Sequence, residues 1–318
     1  MELNKIYLGD CLEKSKEIES GSVDLIVTDP PYGNLNGATL KGWDKERTAW
    51  DLTITPDDIF NVANRILRRN GRLVLFSQEP YTSQLITNAI SNLPFCYRMS
   101  WEKDHFANTL LSQKAPVSYF EDILVFKKTH DTEGIHPLRA YFKDVMEYIG
   151  LNKKQLIERI GQRVDHVTRI NSTQFSLCTE STYNELIEVF GINQMDNFKT
   201  FEELKEIDEE TKNTAFPSVF NLWDGKKYKS NILKYRKDYT GLHPTQKPVL
   251  LIEDLIKTYS NEGDVVVDLT CGSGTTAVAA INTGRDYICI EKDEGYYEVA
   301  VNRTKEESQL TLEVSSIV

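Results

Sequence analysis

The sequence predicts an α/β protein in which a parallel sheet is interrupted by a helical insert. Three observations support this class. Short apolar runs alternate with helical spacing over residues 22–76, which is the order of a strand–helix–strand unit. The spacing is helical over residues 138–190, and helix and strand alternate again over residues 248–291. A parallel sheet split in this way requires both halves to dock as one Rossmann-like sheet.

The first half of the sheet domain is assigned to residues 1–127. Its predicted elements are a strand at 22–28, a helix at 56–67, and strands at 71–76, 95–101 and 121–127. The second half is assigned to residues 215–318. Its predicted elements are a helix at 248–259, a buried-type strand at 265–269, a helix at 275–283 and a strand at 287–291.

Residues 128–214 are predicted to form the helical insert. Asn152 and Gln155 offer a capping box for the first of its short helices. The predicted elements are a helix at 153–160, a turn at Gly161, and helices at 164–170 and 181–190. Residues 195–212 are acidic and low in apolar content, which is typical of an exposed helix or a linker.

The net charge of −11 argues against a general polyanion binder, because non-specific affinity for nucleic acid comes mainly from Lys and Arg. Any contact with DNA must therefore be local. Residues 226–247, the basic stretch, hold seven Lys or Arg residues against Asp238 alone, with tyrosines between them. The alternative interpretation of this stretch is an ordinary solvated loop.

The five cysteines are scattered and show no C-x-x-C spacing, so neither a zinc site nor a disulfide framework is predicted. We expect buried thiols in a reducing compartment and no metal. No apolar run approaches the roughly 20 residues that span a bilayer, and residues 1–5 lack a signal-peptide pattern. A cytoplasmic location away from membranes is expected.

The sharpest motif is Thr28-Asp29-Pro30-Pro31-Tyr32-Gly33, directly after a predicted strand. Open α/β sheets place their sites at such carboxyl ends. Two consecutive prolines rigidify a turn that presents a carboxylate, backbone carbonyls and an aromatic face. The alternative interpretation is a plain turn.

A second motif runs from Val266 to Thr276, where a strand leads through Gly272-Ser273-Gly274 into a helix, and Glu291 ends the next strand. Glycines let the turn pass close to a ligand, and the carboxylate is placed to accept from ribose hydroxyls. A nicotinamide-dependent dehydrogenase is the alternative. It is disfavoured because Ala277 replaces the third glycine and the turn comes late in the chain.

These motifs together resemble the amino methyltransferases that act on DNA, with their Asp-Pro-Pro-Tyr turn. The second motif resembles that family's S-adenosylmethionine loop, although Leu269-Thr270 replaces its usual Pro-Phe. His243-Pro244-Thr245-Gln246-Lys247-Pro248 and Leu8-Gly9-Asp10-Cys11 resemble two further family motifs. The catalytic motif precedes the cofactor loop, which resembles the beta-group order. The resemblance covers residues 5–127 and 215–305.

The resemblance implies a catalytic turn made of Asp29, Pro30, Pro31 and Tyr32. Asp29 and the Pro30 carbonyl would accept hydrogen bonds from the target amino group, and Tyr32 would stack on a base rotated out of the duplex. It also implies S-adenosylmethionine as cofactor, bound by Asp10, Asp29, His243, Thr245, Gln246, Lys247, Asp268, Gly272, Ser273, Gly274, Thr275 and Glu291.

The insert resembles a helix-turn-helix unit, whose second helix would present Arg163, His166 and Arg169 to base edges. The alternative is a helical bundle that only supports the insert. Phosphate contacts are assigned to Lys226, Lys227 and Lys229 of the basic stretch.

The function expected from these features is adenine-N6 methylation of a specific site in double-stranded DNA. Cytosine-N4 methylation is the nearest alternative, disfavoured because that activity more often has Ser-Pro-Pro-Tyr. A DNA-binding regulator with a decayed methyltransferase shell is the alternative from another class, and the intact Asp29, Tyr32, Gly272, Gly274 and Glu291 argue against it. The resemblance further suggests a homodimer and a cognate restriction endonuclease as partners.

Overall fold

The structure is a computed structural model that describes residues 1–32, 54–107, 113, 116–130, 137–170, 175–213, 218–222, 225–242 and 245–315. The chain divides into two compact units. Unit 1 comprises Met1–Thr129 and Ser218–Val318, and unit 2 comprises His130–Pro217. Unit 1 contains the sheet that the sequence predicts from both halves of the chain.

The sheet in the described part of the chain has eight strands in the order β1-β8-β7-β2-β3-β5-β4-β6. Their bounds are β1 Lys5–Leu8, β2 Val23–Thr28, β3 Leu67–Ser77, β4 Phe95–Ala107, β5 Ser118–Lys127, β6 Ile232–Lys234, β7 Val265–Asp268 and β8 Asp286–Glu291. Neighbouring strands are parallel except at β5, which runs antiparallel to both β3 and β4. The short connection between β4 and β5 leaves too few residues for the crossover that a parallel pair needs.

Helices cover both faces of this sheet. In unit 1 they are α1 Cys11–Lys14, α2 Pro56–Ile66, α3 Tyr81–Thr87, α9 Val249–Tyr259, α10 Thr275–Asn282 and α11 Glu294–Ser315. Val27 and Ile26 of β2 show the consequence, because they belong to different core clusters on opposite faces. Burial on both faces explains why the predicted strands read as continuous apolar runs.

Unit 2 is helical. Its helices are α4 Pro137–Ile149, α5 Lys153–Ile160, α6 Asp165–Thr168, α7 Glu180–Phe190 and α8 Phe201–Asn213. The capping box at Asn152 and Gln155 is confirmed, with both reciprocal hydrogen bonds at 3.0 Å. The predicted helix at 164–170 is wrong in length: α6 follows a 3-10 turn and ends where Arg169 leaves helical backbone angles.

Four cysteines are buried, as predicted, but Cys96 is exposed. Cys96 lies near the start of β4, where its side chain faces away from the core. Among the described residues, no helix combines the length and apolar character needed to cross a membrane.

Candidate active site

Parallel strands bring the predicted site residues to one edge of the sheet. Because β1, β8, β7 and β2 are adjacent and parallel, their carboxyl ends lie side by side. Asp29 follows β2, Asp268 ends β7, Glu291 ends β8 and Asp10 follows β1. The antiparallel β5 brings its amino-terminal end, with Glu121, to the same edge.

The Asp-Pro-Pro-Tyr turn is held in place by its neighbours. The Tyr32 hydroxyl donates to Asp29 Oδ1 at 2.5 Å, and the Tyr32 and Tyr81 ring centroids are 5.9 Å apart. Thr270 Oγ1 donates to the Asp29 carbonyl at 3.0 Å and lies 2.9 Å from Thr28 Oγ1. Thr270 replaces the usual Phe of the family loop, and here it links that loop directly to the turn.

Lys247 connects the turn to residues that sequence reasoning missed. Its ammonium pairs with Asp29 Oδ2 and lies 3.2 Å from Glu121 Oε2. The other Glu121 oxygen pairs with Lys103 of β4. Two consecutive acidic residues, Glu121 and Asp122, at the start of an otherwise apolar strand were the available sequence signal.

Burial dominates the electrostatics of this group. It raises the pKa of the Asp29 carboxyl, while Lys247 opposes that effect. Burial alone would lower the pKa of the Lys247 ammonium, but Asp29 and Glu121 outweigh it and hold the pKa above its usual value. Burial would likewise raise the pKa of Glu121, but Lys247 and Lys103 hold it below the usual range.

Residues 269–274, the glycine loop, are held by two carboxylates. Asp268 accepts from the Thr270 amide at 3.0 Å and from Thr276 Oγ1 at 2.5 Å, and burial raises the pKa of Asp268 to about 6. Glu291 accepts from the Gly272 amide at 2.7 Å and from the Asp293 amide at 2.8 Å. Each Glu291 oxygen therefore retains a lone pair for a further donor.

Gly274 is required by its conformation and by space. Its φ of +79° favours glycine, and a Cβ there would lie 2.9 Å from the Ala300 Cβ. Arg303 of α11 braces the following turn by donating to the Ser273 carbonyl at 3.2 Å and to Thr275 Oγ1 at 3.1 Å. The amino end of α10 can therefore approach α11 closely.

Gln246 lies beside the glycine loop and is buried. Its Oε1 accepts from Thr240 Oγ1 at 3.0 Å and from Ser273 Oγ at 3.4 Å, whereas its Nε2 has no hydrogen-bond partner among the described groups. A buried donor of this kind suits a bound acceptor, because leaving it unpaired costs free energy. Thr245 is half-buried nearby, and the predicted His243 lies outside the described residues.

Asp10 lies at the outer end of this edge. Its Oδ1 accepts from the Leu12 amide at 2.9 Å and caps α1, and its Oδ2 lies 3.0 Å from Lys292 Nζ. In the pairing of β1 with β8, Leu8 lies opposite Glu291. This pairing brings Asp10 near Glu291 and near Lys292, the residue that follows it.

The residues predicted to contact DNA have different surroundings. Lys226 and Lys227 are exposed, but the Lys229 ammonium lies 2.5 Å from Asp254 of α9 in a largely buried pair. In unit 2, Arg163 pairs with Glu185, Arg169 lies 2.5 Å from Asp165, and His166 is exposed. Among the described residues, no cluster of His, Cys, Asp and Glu could hold a metal ion.

A family model described as DNA methylase matches residues 23–302. The chain belongs to the DNA methylase family. This DNA methylase is therefore an enzyme that methylates DNA, and its Rossmann-like methyltransferase fold is confirmed by the solved structures that it resembles.

The DNA methylase is similar to two curated proteins over nearly its whole length. It is 28% identical to DNA adenine methyltransferase YhdJ of Escherichia coli (strain K12), covering 95% of this chain and 83% of that protein. It is 25% identical to type II methyltransferase M.HindIII of Haemophilus influenzae, covering 94% of each.

Solved structures show the same fold at low identity. The M1.HpyAVI–SAM complex matches with a TM-score of 0.52 at 19% identity, covering 94% of this chain and 98% of that one. The cytosine-N4-specific PvuII DNA methyltransferase matches with a TM-score of 0.51 at 14% identity, covering 96% and 91%. These likenesses concern the fold alone.

Proposed function

We propose that this DNA methylase transfers a methyl group from S-adenosylmethionine to the N6 amino group of adenine at a specific site in double-stranded DNA. The observation that carries the proposal is the position of Asp29. Its carboxylate lies at the carboxyl end of β2, held by Tyr32 and Lys247, and Thr270 of the glycine loop donates to the Asp29 backbone carbonyl. Two features favour adenine over cytosine as the target base: the similarity to YhdJ, which is named a DNA adenine methyltransferase, and the Asp at the first position of the turn.

The residues at the edge of β7 and β8 fit S-adenosylmethionine. The unpartnered Gln246 Nε2 and the hydroxyl of Ser273 would hold its methionine end, with Thr245, Lys247 and Thr275 nearby. Glu291 would accept from the ribose hydroxyls and Asp10 would lie toward the adenine. Asp268, Gly272 and Gly274 shape the loop between them. When bound, S-adenosylmethionine supplies an electrophilic methyl group on a sulfonium centre.

The catalytic turn prepares the nucleophile. The amino group of adenine is a poor nucleophile because its lone pair is delocalised into the ring. Asp29 and the Pro30 carbonyl would accept its two hydrogens, which favours a pyramidal nitrogen with an exposed lone pair. Pro31 rigidifies the turn, and Tyr32 would stack on the flipped base to offset the unstacking cost of about a few kcal/mol. The amino nitrogen would form the new N–C bond as the bond between the methyl carbon and sulfur breaks, with its electron pair leaving on the neutral thioether, and one amino proton would then pass to water.

The arrangement of the chain supports further proposals. Asp29 precedes the glycine loop in sequence, which fits the beta group. Unit 2, which separates the two halves of the sheet domain in the sequence, is proposed to recognise the target site. A homodimer and a cognate restriction endonuclease are proposed as partners, in keeping with the type II methyltransferases to which the chain is similar.

The experiment that tests this function is single-molecule sequencing of DNA from cells that express the chain. N6-methyladenine in one sequence motif, absent from cells that express Asp29→Ala, is expected. N4-methylcytosine would instead assign the cytosine activity, and unmodified DNA from both cultures would contradict the proposal.

The exposed lysines of the basic stretch are expected to contribute affinity but no sequence information, because phosphate contacts carry none directly. Lys226→Gln and Lys227→Gln should each weaken DNA binding and reduce the slope of log affinity against log salt by about 1. Lys5→Gln is the matched control, because Lys5 is half-exposed at the opposite edge of the sheet. A changed methylation motif in either variant would contradict this division of roles.

Unit 2 is expected to determine the recognised sequence. Replacing Arg163, His166 and Arg169 by alanine should allow methylation at near-cognate sites, because each lost base contact costs about 1–3 kcal/mol of discrimination. Sequencing of the methylated DNA measures this. Arg159→Ala is the control, since Arg159 is exposed on α5. Thermal unfolding shows whether losing the ion pairs with Glu185 and Asp165 destabilises the triple variant. An unchanged methylation motif in the folded triple variant would show that α6 is scaffolding.

A further inference from the structure

Four charged side chains form a continuous chain, here called the charge chain: Asp29, Lys247, Glu121 and Lys103. Opposite charges alternate along it, with ion pairs between each successive pair. All four are largely buried, with side-chain exposures of 23% for Asp29, 7% for Lys247, 10% for Glu121 and 12% for Lys103. Only its first member belongs to the Asp-Pro-Pro-Tyr turn.

Stability alone is a weak reason for such an arrangement. Withdrawing charges from water costs several kcal/mol per ion, and apolar residues of similar volume often stabilise a protein as well or better. The surroundings are indeed apolar: the Lys247 ammonium lies 5.1 Å from the Phe76 ring centroid and the Lys103 ammonium lies 5.3 Å from that of Trp101. The charge chain ends at Asp29 of the catalytic turn, and this position indicates a role in the function of that turn.

We propose that Glu121 and Lys103 are positioning residues that hold Lys247 against Asp29 and so orient the Asp29 carboxylate for the target amino group. This inference rests on the function proposed above. Glu121 gives the Lys247 ammonium a second carboxylate partner, at 3.2 Å. Lys103 neutralises Glu121, so that Glu121 does not draw Lys247 away from the turn.

The two residues act on Asp29 with opposite signs. Glu121 places a negative charge near Asp29 and thereby raises the pKa of the Asp29 carboxyl, on top of the larger effect of burial. Lys103 offsets that charge. In the described part of the chain, the other ionisable groups that interact with the charge chain include Tyr32 from the turn, Asp268 from β7, Lys237 from the basic stretch and Asp122 from β5. The same groups are present in every variant compared below.

The test is the pH dependence of kcat, measured with saturating DNA and S-adenosylmethionine, whose acidic limb reports the ionisation of Asp29 in the bound complex. Glu121→Gln removes a negative charge and should move that limb to lower pH. Lys103→Met leaves Glu121 uncompensated and should move it to higher pH. Each shift should be about half a pH unit or more, because charges at this range shift carboxyl pKa values measurably.

A neighbouring pair supplies the matched control. Glu102 of β4 lies 3.0 Å from Lys234 of β6, with side chains 48% and 70% exposed. Glu102→Gln, one residue before Lys103 on β4, and Lys5→Met, on the edge strand β1, each remove one exposed charge and should leave the limb unchanged. Glu121→Gln combined with Lys103→Gln restores the charge balance, so its limb should return toward that of the wild type.

Shifts of opposite sign in the two single variants, with the controls unmoved, would support the proposal. In the single variants, a lower kcat with unmoved limbs, or shifts in the same direction, would overturn it and leave the charge chain a structural feature. If a single variant does not fold, the double variant decides: a limb that remains at the wild-type pH with kcat reduced supports positioning through Lys247, and unchanged kcat overturns it. A wild type without methyl transfer would refute the proposed function instead.

Discussion

Asp29→Ala is expected to abolish methyl transfer while S-adenosylmethionine still binds, because the other residues assigned to the cofactor remain. The variant removes the acceptor that prepares the amino nitrogen, and the loss of one preorganised hydrogen-bonding group in an active site costs about a hundredfold or more in kcat. It also leaves Lys247 with Glu121 as its remaining carboxylate. Transfer of a labelled methyl group to duplex DNA measures kcat, and calorimetry measures binding of S-adenosylmethionine.

Tyr32→Phe is the matched control for Asp29→Ala. It removes the hydroxyl that donates to Asp29 Oδ1 but keeps the ring that would stack on the base. We expect a smaller loss of kcat than for Asp29→Ala, and unchanged binding of S-adenosylmethionine. Full turnover by Asp29→Ala would exclude Asp29 from the mechanism.

Glu291→Ala is expected to weaken binding of S-adenosylmethionine by about 1–3 kcal/mol, the cost of a lost charge-assisted hydrogen bond. The same carboxylate accepts from the Gly272 and Asp293 amides, so the glycine loop loses an anchor as well. Because burial raises the pKa of Glu291, affinity should also fall as the pH is lowered through that pKa.

Calorimetry at several pH values measures both effects. Glu294→Ala is the control, since Glu294 is exposed in the first turn of α11, three residues further along the chain. Unchanged affinity in Glu291→Ala would show that the ribose hydroxyls have another partner.

The sequence predicted the sheet domain well because its strands are buried on both faces and its helices have regular spacing. The direction of β5 was beyond that reasoning, since an apolar run carries no sign of which way it crosses the sheet. Short edge strands were also missed: β1 and β6 have four and three residues. The predicted helix at 164–170 is too long, because Arg169 leaves the helical conformation and pairs with Asp165.

The candidate site was predicted where neighbouring parallel strands end, because that rule depends only on strand order and local motifs. Asp29, Asp268 and Glu291 were found in this way. Glu121 and Lys103 were missed because the register that pairs β4 with β5 brings them together, and no local pattern reports that register. Lys229 shows the same limit, since its partner Asp254 lies on a helix 25 residues away.

Methylation of the N6 amino group of adenine is tested most directly by identifying the methylated nucleoside. Purified protein would be incubated with unmethylated duplex DNA and S-adenosylmethionine that carries a deuterated methyl group, and the DNA would be digested and analysed by mass spectrometry. Adenine-N6 methylation predicts the label in N6-methyldeoxyadenosine with the wild type and none with Asp29→Ala. Label in N4-methyldeoxycytidine, or unlabelled DNA with the wild type, would contradict it.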